Sequence, residues 1–320
     1  MKRYLFLCVF LTLLIGFCSC GKEDDLVPTG EGARLLSISD KSGRFNELAY
    51  RIYTDTGMPI FVNDTLMKEQ RGVDYNGNPI IHYEMFAIGY SIFVQIRPAA
   101  IALSSDTASM VKAAELIRDK VIPHYLPKCK PYCILMADTL YSIYRGWSST
   151  KGFAAYGTTE YAHKDMIGTI VGRLSGILEM SEDEQNMWAG RILAVQIADE
   201  IQSRYGEELK AFYNLSANGR WTWHSTSVYA DLEGNPIGVG YDVDYRAVGF
   251  LEWVFDGQFS ATQLVRRYPT EAIDVVGYLA AVYAFSEDKF EELYKDYPYC
   301  IEKYKLMKAI LTKFEAEISK

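Results

Sequence analysis

The sequence predicts an α+β domain, because strand signals gather in its first half and helix signals in its second, without the alternation that builds βαβ units. Phe86 to Ile96 is dominated by aromatic and β-branched residues, the composition of a strand. Ser181 and Glu184 have capping-box spacing, and Thr270 and Ser286 are placed to cap two more helices.

The chain opens with Lys2 and Arg3, an apolar run from Tyr4 to Ile15, and Gly16-Phe17-Cys18-Ser19-Cys20 before the polar Gly21-Lys22-Glu23-Asp24-Asp25. This is the layout of an export signal over residues 1–19. The apolar run falls short of the roughly 20 residues of a membrane span, which favours a cleaved leader over an anchor helix. A small residue precedes Cys20 but a bulky one precedes Cys18, so Cys20 is the expected lipid acceptor. The expected address is the outer membrane, lipid-anchored and cell-surface exposed. Residues 20–44, rich in Gly, Asp, Lys and Ser, read as a tether, and 45–320 as one domain.

The leader carries Lys2 and Arg3 and no acid, so its removal takes the net charge from −8 to −10, which disfavours nucleic acid as a partner. Of six cysteines, Cys129, Cys133 and Cys300 remain in the domain. An odd count rules out full internal pairing, and Cys129 and Cys133 around Pro131 are either a small disulfide in a turn or unlinked. With His124 they would make a zinc set lacking a fourth ligand.

Along the domain, Ser105 and Asp106 cap a helix carrying Met110, Val111, Ala114, Leu116 and Ile117, which stops at Pro123. Ile134-Leu135-Met136 is a buried strand. Asp74 to Ile80 and Asp231 to Ile237 share a turn phrase that closes a hairpin and has too few oxygen ligands for calcium. Met166, Ile167, Ile170, Val171, Leu174, Ile177 and Leu178 recur at helical spacing and predict a helix with a buried stripe. Further helices are expected from Ser181 to about Tyr205, over 271–285 and 287–296, and from Tyr299 to the end.

The phosphate-binding loop, the Gly-x-Ser-x-Gly elbow and the dinucleotide glycine fingerprint are absent. His82, His124, His163 and His224 are scattered, with no i, i+4 pair. Asp242 and Asp244 alternate on an expected strand. With 41 acids, the sequence does not single out a glycosidase pair. Among the aromatics, Trp147, Trp221, Trp223 and Trp253 could be sugar platforms, and Trp221-Thr222-Trp223 places two rings on one strand face.

Leu48 to Val62, Leu116 to Met136, Arg246 to Phe250 and Ala280 to Tyr283 resemble phrases of the Bacteroidetes zinc-binding metallopeptidase lipoproteins that accompany starch-utilisation-type outer-membrane importers. The resemblance implies a zincin-like fold with a strand-rich N-terminal half and a helical C-terminal half. The family's His-Glu-x-x-His should lie between Thr169-Ile170 and Ile177-Leu178, where this chain has Val171-Gly172-Arg173-Leu174-Ser175-Gly176. Gly172 and Gly176 then replace the ligand histidines, Arg173 the general base, and Tyr278 the third ligand. Glycine cannot bind zinc, and arginine cannot act as a base near neutral pH.

The resulting expectation is a catalytically inactive surface lipoprotein, without cofactor, that binds a peptide, a glycan or an importer complex during nutrient uptake. Two alternatives stand beside it. One is an active zinc hydrolase with a relocated site around His163 and His224; the other is a glycan-binding surface lipoprotein using Trp221 and Trp223.

Overall fold

Helix α1 (Gly43–Thr56) buries Phe45, Leu48, Ala49 and Ile52, the one-sided stripe that an amphipathic helix turns to a core. It opens the α+β fold of a computed structural model, which describes residues 38, 42–86, 99–148, 152–165, 167–217, 229, 244–252, 254–260 and 263–318. Residues 38–320 form one compact unit.

Strand β1 (Ile60–Phe61) follows, then the hairpin β2 (Thr65–Val73) and β3 (Pro79–Met85). The Asp74 carboxylate closes this hairpin by accepting the backbone N–H groups of Asn76 and Asn78, each at 2.8 Å. The strand expected over Phe86 to Ile96 and the second turn phrase, Asp231 to Ile237, lie outside the described residues apart from buried Phe86.

After β4 (Ala99–Ala102), helix α2 (Thr107–Leu116) starts at Asp106, whose side chain accepts from the N–H of Ala108 and Ser109. It widens into a π turn at Ile117–Val121 and tightens into a 3-10 turn at Ile122–His124, since Pro123 has no N–H to continue the helical ladder. Then come β5 (Ile134–Met136), β6 (Thr139–Ser148), β7 (Gly152–Glu160), β8 (Ala162–Lys164) and β9 (Thr169–Val171).

From Glu182 onward the described elements are helices, one 3-10 turn and one hairpin. Helix α3 (Glu182–Arg204) carries the full Ser181/Glu184 capping box and is followed by α4 (Gly206–Ala217). Strands β10 (Val254–Ser260) and β11 (Gln263–Arg267) pair antiparallel. Helices α5 (Glu271–Ala284) and α6 (Glu287–Leu293) begin at the Thr270 and Ser286 caps, and α7 (Pro298–Ile318) ends the described chain.

The main sheet has the order β1-β5-β9-β8, with β8 antiparallel to β9 and the other pairs parallel. Every residue of β5 and β9 is buried, so these central strands are covered on both faces. One core cluster joins this sheet to α1, α2 and the first half of α3; a second joins the rest of α3 to α4, α5, α6 and α7. Gly190 on α3 makes that junction close, because a Cβ there would sit 2.3 Å from the Ala280 carbonyl oxygen of α5.

The helix expected through Met166 to Leu178 is not formed. Thr169 to Val171 is strand β9, the backbone is irregular over Gly172 to Leu174, and residues 175–179 form turns. Ile170, Val171, Leu174 and Ile177 are buried as expected, but a strand entering a turn produces that spacing. Three β-branched residues in a row favour the strand, and positive φ at Arg173 (62°) and Gly176 (87°) is incompatible with a helix. Asp244, expected on a strand, instead opens the 3-10 turn Arg246–Val248 by accepting the Arg246 N–H at 3.0 Å.

Candidate functional site

Residue 172 has no room for a side chain. A Cβ at Gly172 would lie 2.6 Å from the Glu160 carbonyl oxygen and 2.7 Å from Leu140 Cβ, and neither is a flexible chain end. The Gly172 N–H donates to the Tyr161 carbonyl at 2.8 Å, while the Gly172 carbonyl accepts from Trp188 Nε1 at 3.0 Å. Gly176 lies in an exposed turn, and buried Tyr278 on α5 spends its hydroxyl on the Gly249 carbonyl at 3.0 Å. These residues do not fit the zinc ion that the resemblance implies.

The same junction gathers a different set of groups. Tyr161 links β7 to β8, and its ring receives the Arg173 guanidinium at 3.9 Å from its centre and the Arg191 guanidinium at 4.4 Å. Left-handed backbone at Arg173 points its side chain across this ring, and an Arg173 terminal nitrogen donates to the Tyr161 hydroxyl at 3.2 Å. Arg191 arrives from the first half of α3, is only 7% exposed, and pairs with Glu252 at 2.7 Å. Its Nε–H is buried and has no acceptor among the described residues. Among the described residues this set comprises two permanent cations, one carboxylate and one phenol, charged and hydrogen-bonding groups with no evident nucleophile.

A second cluster lies deeper, between α4, α5 and α7. Lys303 is fully buried, and its three N–H groups are shared among four acceptors: Asp274, Ser216 Oγ at 2.9 Å, Gly249 O at 3.0 Å and the Tyr229 hydroxyl at 3.2 Å. The Tyr229 hydroxyl in turn donates to Asp274 at 2.8 Å. Burial pushes the Asp274 carboxyl up and the Lys303 ammonium down, each opposed by the attraction of its partner. With every charge partnered inside a ring of aromatics, this cluster is structural.

No described histidine is among the named partners of either cluster, whereas Cys300 borders the second. His163 is half-buried on β8 opposite Ile170, His82 lies beside Glu84 at 2.9 Å on the exposed hairpin, and no described α-helix carries a histidine. Cys129, Cys133 and Cys300 are free thiols, so Cys129 and Cys133 are unlinked. Burial raises the Cys133 thiol to about 12 and the Cys300 thiol to about 11. Cys20, Trp221, Trp223, Trp253, His224 and Asp242 lie outside the described residues.

Sequence reasoning singled out Arg173 only as the replacement of a general base, and it did not single out Tyr161, Arg191 or Glu252. The available signal was Arg191 itself, a charge amid Trp188-Ala189-Gly190 and Ile192-Leu193-Ala194. No family model, curated protein or solved structure matches the chain.

Proposed function

We propose that this chain is a lipid-anchored, exported outer-membrane protein whose domain works by binding, as an accessory of nutrient uptake, and not by zinc hydrolysis. The anchoring part rests on the leader and on Cys20. The binding part rests on one observation: Gly172, where the resemblance requires a ligand histidine, is walled in by Glu160 and Leu140, so that no side chain fits there. The zincin-like kinship remains part of this proposal, as a scaffold retained after its metal chemistry was lost.

The test is metal content by mass spectrometry on residues 21–320, purified without chelator and then titrated with zinc. Less than stoichiometric, weakly held metal is expected. One tightly bound zinc per chain would refute the reading and return the domain to the metallohydrolases.

A further inference from the structure

We infer that Lys303 and Asp274 join covalently: the ammonium condenses with the carboxylate, releasing one water and leaving an amide that ties α7 to α5. The inference concerns the second core and does not depend on what the domain binds.

The first support is contact. Asp274 lies in the first turn of α5 and Lys303 near the start of α7, and the Lys303 Nζ hydrogen-bonds Asp274 Oδ2, an atom bonded to the carbon that would be attacked. Both helices pack in the same core, so the pair is held in place by burial and not by chance encounter. Reacting groups already in contact have the entropy of approach behind them.

The second support is enclosure. Lys303 is 0% exposed and Asp274 3%. The rings of Phe212, Phe250 and Tyr278 have their centres 4.2, 4.9 and 4.9 Å from Nζ, and that of Tyr229 is 5.6 Å away. Two charges held out of water are costly even when paired, whereas an amide is neutral and the water it releases returns to solvent. Burial also pushes the Asp274 carboxyl up and the Lys303 ammonium down, towards the uncharged acid and amine that react.

The third support is a route for both protons. Condensation forms the Nζ–Cγ bond, breaks the Cγ–Oδ2 bond and moves two protons from Nζ to Oδ2, which departs as water. One proton crosses the direct Nζ–Oδ2 hydrogen bond. The other has the Tyr229 hydroxyl as relay, since it accepts from Nζ at 3.2 Å and donates to Oδ2 at 2.8 Å. Nitrogen keeps one proton, Oδ1 becomes the amide oxygen, and no oxidant, reductant or further reactant is consumed. Chains that have not yet reacted hold the same two side chains as a buried ion pair.

The test is the intact mass of residues 21–320 under denaturing, reducing conditions, followed by trypsin. A mass lower than that of the sequence by one water is expected. The missing water should reside in one branched product that joins 268–289 to 296–305, uncut after Lys303 because its amine is blocked. Peptide 268–289 has no cysteine, so a disulfide cannot imitate this product. Lys303→Met and Asp274→Leu should each have their full sequence mass, and because the parent chain decides the matter, poor folding of either variant would not obscure it.

Tyr229→Phe, confirmed as folded by circular dichroism, should form the link about a hundredfold more slowly, as loss of a positioned proton relay predicts. Linkage as fast as in the parent would overturn the part given to that hydroxyl. An intact parent mass equal to that of the sequence, constant while the folded protein is incubated at neutral pH, would overturn the inference as a whole. So would a water loss carried by any other peptide, or one that persists in Lys303→Met.

Discussion

Replacing Lys303 by Met removes the only cation that touches the buried Asp274 carboxylate among the described residues. Lys303 is 0% exposed and Asp274 3%, so water cannot take over the lost interaction. Asp274 would keep the Tyr229 hydroxyl at 2.8 Å and nothing else described, and Ser216 and Gly249 would each lose a charge-assisted donor. Breaking a buried pair on one side costs about 3–5 kcal/mol. In a domain of this size that corresponds to a melting temperature lower by roughly 5–15 °C, read by circular dichroism and by urea midpoints.

The two shifted groups refine this expectation. Burial raises Asp274 and lowers Lys303, so each pays for being charged, and much of their attraction repays desolvation. Lys303→Met combined with Asp274→Leu should therefore cost much less than the sum of the two single changes, with a coupling of about 1–3 kcal/mol. Gly249 O retains the Tyr278 hydroxyl at 3.0 Å in that double variant. A loss below about 1 kcal/mol in Lys303→Met, or strict additivity in the double, would refute the assignment of this pair as a mutually dependent buried ion pair.

Gly172→Ala should destabilise the domain by about 1–3 kcal/mol in urea denaturation, because the added methyl meets Glu160 O and Leu140 Cβ, and an unchanged midpoint would contradict the close packing there. Native residues 21–320 at pH 8 should show slow thiol modification led by half-buried Cys129, with Cys133 and Cys300 reacting only on unfolding; rapid reaction of all three would contradict their burial. Asp106 is held below the ordinary carboxylate range, first by the Ser109 hydroxyl and then by the Ala108 N–H. Its lowered folded pKa means that its contribution is present at neutral pH and is lost as pH falls through that value. The advantage of the parent over Asp106→Asn should thus shrink below about pH 4, as read from urea midpoints.

What could be read from the sequence was local. The helix starts at Asp106, Ser181, Thr270 and Ser286 are each set within four residues by a side chain meeting a nearby N–H, and the Asp74 turn closes the same way. The misread segment, Met166 to Leu178, failed where periodicity alone was used: a strand followed by a turn buried the same residues as a helix would. The zinc-site register assumed a helix over the same residues, and the chain instead leaves strand β9 at Gly172 and Arg173. The cluster on Tyr161 was illegible for a different reason, because Tyr161, Arg173, Arg191 and Glu252 meet only once α3 has docked against the sheet and the turn after Phe250 has come alongside.

Helix α3 spans both cores, and the buried cations Arg191 and Lys303 are met differently in them. Its first half lies in the core under the sheet and its second half in the core of the C-terminal helices, so the domain depends on it as a common wall. Lys303 faces the second core and finds a carboxylate, two hydroxyls and a carbonyl, which leaves nothing for a ligand to supply. Arg191 stands on the same wall nearer the sheet edge, with a partly exposed partner and a buried donor that no described residue accepts. A buried cation kept only for stability would be expected to resemble Lys303, because an unmet donor costs about 1–3 kcal/mol with no gain in packing. Arg191 offsets part of that cost by lying over the Tyr161 ring, 4.4 Å from its centre, and by pairing with Glu252 at 2.7 Å.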